Sequence, residues 1–292
     1  MTRETLLHLV SATALVLGSA TAQAEVASPF LVVIDPGHGG NDHGTLYESG
    51  GKRWAEKDVT LALAQETALQ LRSMGMKVQL TRKDDSDLPL PERTRIANRL
   101  KADIFISIHM NGAPGLKDSS AHGVETYILN NTSDESSKRI ARLENSILTP
   151  PAAGPVAQGA ESGLDVALIL KDLRLDSNLS ESKRLACNVQ TGLAKATTRS
   201  ITIPDGKTLE PATYTAQSRG VKQALFHVLL GADMPGILVE AGFLDHPRDR
   251  SFVVAPSGRI AIGRAIAQAA QRFRKLKGTA EAKKDIAQCR IR

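Results

Sequence analysis

Four residues whose side chains could hold a metal or move a proton fall at matching places in this chain: His38, Glu56, His109 and Glu240. His38 lies in Asp35-Pro36-Gly37-His38-Gly39-Gly40, just past the apolar run Phe30–Ile34; His109 ends Ile104-Phe105-Ile106-Ser107-Ile108; Glu240 ends Leu238-Val239. Two neutral imidazoles and one carboxylate make the three-donor set of a catalytic zinc site, which keeps a fourth position for water. A lone histidine after a strand is more often a satisfied structural group. Here the glycine-rich surroundings of His38 and a second strand-end imidazole favour ligands. Glu56, taken alone, is equally well explained as a carboxylate at the positive end of a helix. Glu240 closes an apolar stretch, where an acidic group is costly unless it is paired or used.

The elements that must position these groups can be read from periodicity. Phe30–Ile34, Lys77–Thr81 and Ile104–Ile108 read as strands, the first and third buried on both faces. Val124–Leu129 alternates, and Ala224–Leu230 and Ile237–Glu240 read as two more strands. Between them, Glu56–Met74 carries Leu61, Ala64, Ala68 and Leu71 at helical spacing, with Gly75 at the C-cap. Pro91 opens a second helix. Ser133–Leu148, Leu164–Leu175, Ser180–Ala196 and Ser257–Lys275 also read as helical, and Gly37 to Gly51 reads as a glycine-rich loop. Alternating strands and helices predict an α/β fold: a mostly parallel or mixed central sheet flanked by helices on both faces. Ligands bind beyond the carboxyl ends of such strands, so three parallel strand ends and one helix start would bring all four groups to one crevice. Asp35 could orient an imidazole as an acceptor. His43, His122, His227 and His246 read as surface or structural histidines, with His43 and His122 as neighbours of the pocket. The Gly37–Gly40 segment lacks the GxGxxG and GxxxxGK[ST] spacings, so it gives little support to a phosphate cradle.

Residues 1–24 stand apart. A short basic start, an apolar stretch from Leu6 to Ala20 and the Ala22-Gln23-Ala24 site read as a secretory signal peptide, too short for a spanning helix. The remaining chain shows no membrane span and is expected outside the cytoplasm, in the periplasm or at the cell wall. Aromatic residues make up only 3% and the basic residues are scattered through a net charge of +6. Both features argue against nucleic acid as a partner. Export would permit one bridge between Cys187 and Cys289, but Cys289 falls in a polar tail, and the reading favours two unpaired thiols.

The segments Val33–Gly40, Glu56–Leu61, Ile106–His109 and Val239–Phe243, with Arg93, Ala97 and Asn98 between them, resemble the signature blocks of the zinc-dependent N-acetylmuramoyl-L-alanine amidases of the amidase-3 type. The resemblance runs from about Phe30 to Arg274 and is poorest between Asn130 and Gly163. It implies a catalytic domain over 25–276 followed by a polar tail, 277–292. It also implies one zinc ion on His38, Glu56 and His109, Glu240 as catalytic acid and base, and outer contacts from Asp35, Arg93 and Asn111. The substrate would be peptidoglycan, cut between N-acetylmuramic acid and the L-alanine of the stem peptide. Two alternatives are a zinc hydrolase acting on another peptide or acylated amino sugar, and a non-catalytic wall-binding protein. In exported division amidases an inserted helix covers the zinc, with a glutamate as an extra ligand, until an activator protein displaces it. Arg142-Leu143-Glu144-Asn145-Ser146 resembles that segment, which makes 130–179 a helical regulatory insertion with Glu144 as the inhibitory ligand.

Overall fold

The apolar run after Phe30 forms strand β1 (Leu31–Pro36), whose Val32, Val33 and Ile34 are fully buried. The computed structural model describes residues 29–112, 121–146, 172–201 and 212–292. Residues 1–24 and the helical reading at 164–171 lie outside these. A hairpin, β2 (Leu46–Ser49) and β3 (Lys52–Ala55), leads directly into helix α1 (Glu56–Ser73), and β4 (Lys77–Leu80) follows. Next come α2 (Leu90–Arg99), β5 (Ile104–Asn111), β6 (Val124–Leu129) and α3 (Glu135–Asn145). After α4 (Asp172–Leu193), strands β7 (Thr197–Ile201) and β8 (Ala212–Thr215) pair with each other, and β9 (Ser218–Ala224) and β10 (Gly236–Phe243) return to the main sheet. The chain ends with α5 (Pro247–Val254), α6 (Pro256–Leu276) and α7 (Ala280–Gln288).

The main sheet has the order β4-β1-β5-β10-β6-β9. Strands β4, β1, β5 and β10 are parallel, and β6 runs antiparallel to β10. The sheet is therefore mixed, as the pattern predicted, and its strands β1, β5 and β10 share a direction. Every residue of β5 and β10 is buried, which is why both read as continuous apolar runs. On one face, Ile34, Ile106, Ile108 and Val239 pack with Leu63 and Leu71 of α1, Leu185 and Val189 of α4, and Ile266 and Phe273 of α6. On the other, Val33, Phe105, Tyr127 and Leu238 meet Leu90 and Ala97 of α2 and Ile140 and Ala141 of α3. Each buried Ile or Phe contributes roughly 1.5–3 kcal/mol. Arg184 is also wholly buried; its guanidinium lies 3.9 Å from the Phe273 ring centre and bonds Glu181 at 2.6 Å, joining α4 to α6.

Several boundaries differ from the sequence reading. The glycine-rich loop contains the β2–β3 hairpin, turned by Gly50 and Gly51, both at positive φ. The expected strand 224–230 is instead β9 ending at Ala224. Phe226, Val228 and Leu229 then fill the core beneath α2 and α3 in a tight turn rather than pairing. Where a break was expected before Ser180, α4 is continuous from Asp172. The two cysteines are paired: Cys187 and Cys289 form a disulfide with Cα atoms 5.8 Å apart. The polar stretch 277–292 is tied down by α7, by this bridge and by Ile291, which pairs with Val221 along β9.

Candidate metal centre

Three strand ends and two helices converge on one buried cluster. His38 turns just beyond β1 in a left-handed conformation, φ +61°, unusual for a residue with a side chain. Glu56 opens α1 and is fully buried. Its Oε2 accepts the Thr45 N–H at 2.8 Å and its Oε1 the Met110 N–H at 2.8 Å. His109 projects from β5, its ring edge-on to that of His38 with centroids 4.8 Å apart. Glu144, in the last turn of α3, reaches the same point: Oε2 is 2.7 Å from His109 Nδ1 and 3.2 Å from His38 Nε2. One donor atom from each of these four residues lies within 4.8 Å of all the others.

The backbone is cleared to allow this approach. A Cβ on Gly37 would stand 2.4 Å from His109 Cε1, and one on Gly44 would stand 2.6 Å from His38 Cδ2 and 2.7 Å from Glu56 Oε2. Glycine is required at both places.

The donors suit a cation better than they suit one another. His38 Nε2 lies 3.0 Å from Glu56 Oε1, yet among the described residues neither it nor Glu144 Oε2 has a hydrogen-bond partner of acceptable geometry. Buried polar atoms that converge without bonding are expected around a metal ion. The charges point the same way. Burial alone would lower the His109 pKa, but the carboxylates of Glu144 and Glu56 outweigh it and raise it to about 10. His38 is likewise raised well above its ordinary value against the effect of burial, by Glu56 and Glu144 and by Asp42, which meets its Nδ1 at 2.6 Å. Burial would raise Glu56 and Glu144, but the two imidazoles hold both below the usual carboxylate range. Positive charge at this point therefore stabilises the carboxylates, and a divalent ion supplies it without protons.

Glu240 sits beside this set on β10, in register with His109 of β5 on one side and Glu125 of β6 on the other. It is fully buried, and neither carboxylate oxygen has a hydrogen-bond partner among the described residues. Burial, and then the charge of Glu144, push its pKa well above the ordinary carboxylate value. Glu125 is held in the opposite sense. Burial would raise it, but Lys222 at 2.8 Å and the Arg219 guanidinium keep it ionised, with the Tyr127 hydroxyl donating at 2.6 Å. Two adjacent buried carboxylates thus have opposite protonation tendencies, the pattern that separates a proton carrier from a fixed charge.

The outer residues need correction in one case. Asp35 orients no imidazole; it accepts from Arg93 at 3.0 Å, Thr81 Oγ1 at 2.5 Å and Ser107 Oγ at 2.8 Å. Its side chain shares a sheet face with Ser107, whereas the acceptor that reaches His38 Nδ1 is Asp42, four residues further on. Arg93 donates to the carbonyls of Pro36 and His38 at 2.8 and 3.0 Å. Asn111 donates to Glu125 at 3.3 Å. Among the other histidines, His43 is exposed, His122 stacks on His246 with centroids 4.8 Å apart, and His227 is bound through its backbone to Asn145; none belongs to the donor set. Asp42, Arg82 and Glu125 are the participants that sequence reasoning missed. Glu125 alternates within an otherwise apolar strand, the one signal that could have revealed it.

Residues 32–272 match the profile of the amidase-3 family, described as N-acetylmuramoyl-L-alanine amidase. The chain belongs to that family. It is 32% identical to the N-acetylmuramoyl-L-alanine amidase AmiC of Neisseria meningitidis over 83% of its length, and this spans 52% of that protein. It is 31% identical to AmiA of Escherichia coli over 82% of its length and 74% of that protein. Among solved structures, the N-acetylmuramoyl-L-alanine amidase of Clostridium difficile 630 superposes with a TM-score of 0.58 at 25% identity, covering 86% of this chain and 99% of that one. The amidase-family match takes in His38, Glu56, His109, Glu144 and Glu240. Among the described residues of this amidase-family chain, no helix is long and apolar enough to cross a membrane.

Proposed function

We infer that the chain is an exported zinc amidase that cleaves peptidoglycan between the lactyl group of N-acetylmuramic acid and the L-alanine of the stem peptide. The observation that carries this reading is the buried donor cluster of His38, Glu56, His109 and Glu144, set beside the buried Glu240, whose carboxylate has no hydrogen-bond partner among the described residues. Family membership supports the choice of bond. His38, Glu56 and His109 would hold the ion. When bound, zinc supplies Lewis acidity, polarising a carbonyl and making water acidic enough to deprotonate near neutral pH. The Thr45 and Met110 amides occupy one lone pair on each Glu56 oxygen, fixing its carboxylate plane. Glu240 is the group with room to change protonation state. It would take a proton from the attacking water and hand it to the departing alanine nitrogen.

Glu144 is read as a fourth donor that closes the site at rest. It stands on α3, which is capped by Asp134 and anchored by Asn145, so α3 would have to leave for substrate to enter. The displacing agent is read as an activator protein, and residues 1–24 as the signal peptide that places the enzyme in the periplasm or cell wall. The test is to incubate the mature protein with purified sacculi, with and without chelator. Free stem peptides with an L-alanine amino terminus, lost on chelation and in Glu240→Ala, are expected. Release of glycan fragments, or release that chelator leaves unchanged, would overturn the reading.

A further inference from the structure

The left-handed turn at His38 is held from behind by two buried cations. Arg82, just past β4, is 3% exposed and forms no ion pair among the described residues. Its guanidinium spreads over backbone oxygens instead: Nε donates to Pro36 O at 3.1 Å, and Nη2 to Gly37 O at 2.7 Å and Lys57 O at 2.8 Å. Nη1 donates to Asp84 O at 3.0 Å. Arg93, from α2, approaches the same turn, donating to Pro36 O and His38 O and resting on Asp35. Thr60 of α1 adds its hydroxyl to Gly37 O at 2.8 Å. Three successive carbonyls, those of Pro36, Gly37 and His38, are thus each gripped by at least one side chain.

Burying a guanidinium is costly, and filling space alone would be done better by an apolar side chain. What only the planar fork supplies is several fixed donors at set angles. The carbonyls it fixes set φ and ψ of His38, and so the direction of its imidazole. We propose that Arg82, with Arg93, is a positioning residue that holds His38 in the backbone conformation from which Nε2 faces the other metal donors. Arg82 also fastens the carbonyl of Lys57, next to Glu56, so it fixes two donors relative to each other. The inference rests on the zinc reading above. Groups that orient metal ligands typically govern affinity by about 10- to 100-fold.

The experiment uses the mature chain stripped of metal, titrated with Zn2+ against a fluorescent chelator and with Co2+ by visible absorption. Arg82→Lys keeps the charge and loses the fork; Thr60→Val removes one donor to Gly37 O with little change of volume. Phe273→Leu, a core change on α6, controls for general loss of stability. The expected result is zinc binding weakened about 10- to 100-fold in Arg82→Lys and by a smaller factor in Thr60→Val. The cobalt spectrum should be altered in both, and Phe273→Leu should bind as wild type. If Arg82→Lys does not fold, Thr60→Val decides. Wild-type affinity and spectrum in the folded variants, or an equal loss in Phe273→Leu, would overturn the inference. Failure of the wild-type chain to bind either ion would overturn the zinc reading and, with it, this inference.

Discussion

Asn145 offers the cleanest way to ask whether α3 is a gate, because it holds the helix without belonging to the donor set. Its Nδ2 donates to Leu225 O at 2.8 Å, and its Oδ1 accepts the His227 N–H at 2.8 Å. Each such bond contributes about 0.5–1.5 kcal/mol net. If α3 is a gate, water satisfies the same backbone groups once it lifts, so Asn145→Ala should weaken the closed state selectively by about 1–3 kcal/mol. That shifts the open-to-closed ratio about 5- to 150-fold. While the closed state dominates, the basal rate should rise by the same factor, and the rate of a fully opened enzyme should not change. Release of dye-labelled fragments from sacculi, measured without any activator, reads this directly. Glu144→Ala, which removes the covering donor itself, serves as the upper limit. A folded Asn145→Ala protein with an unchanged basal rate would refute the gating role.

Other expectations follow from the same geometry. Glu240→Gln should lower turnover about 10²- to 10⁴-fold while leaving zinc affinity within a few-fold of wild type; loss of zinc binding would instead make Glu240 a ligand. His109 titrates at about 10 and His38 well above its usual value in the metal-free protein, and both must be neutral to bind an ion. Zinc binding at pH 7 should therefore release about two protons, measurable by calorimetry in buffers of different ionisation enthalpy, and zero release would contradict the assignment. The sign for stability follows: a raised folded pKa means that the imidazoles stabilise the metal-free protein below about pH 6.5, and this is lost as pH rises through about 10. The Cys187–Cys289 bridge spans a sequence separation of 102, so chain-entropy arguments assign it about 4–5 kcal/mol. Its reduction should lower Tm by roughly 8–20 °C, and an unchanged Tm would show that the other tail contacts suffice.

How far the sequence alone led depended on the range of each signal. Strands β1, β5 and β10 were legible because both of their faces are buried, leaving largely apolar runs that lead to His38, His109 and Glu240. Their common direction could only be assumed until the sheet order was known. Glu144 was placed by resemblance, since nothing local separates it from an ordinary helix-surface carboxylate. Asp35 was given the wrong neighbour because strand register, invisible in sequence, turns it toward Ser107 and Arg93. Asp42 meets His38 where that residue bends into the left-handed region, and Arg82 lies just past the strand read over Lys77–Thr81. Tertiary contacts with no periodic signature carried both. The tail was misjudged for the same reason, as no local pattern announces a pairing 102 residues apart.

Helix α3 carries its own start and stop: Asp134 accepts the Ser137 N–H at 2.9 Å, and Asn145 fastens the far end. On the gating role proposed above, an element terminated in this way would detach as an intact cylinder and dock again, with no peptide bond broken in either direction. Control of this kind would differ from a cleaved pro-segment, which turns an enzyme on once and for good. Cutting of the wall would start where a releasing protein arrives and stop when it departs. The covalent polymer that holds the cell against its own pressure would then be exposed to the enzyme only in bounded places and for bounded times.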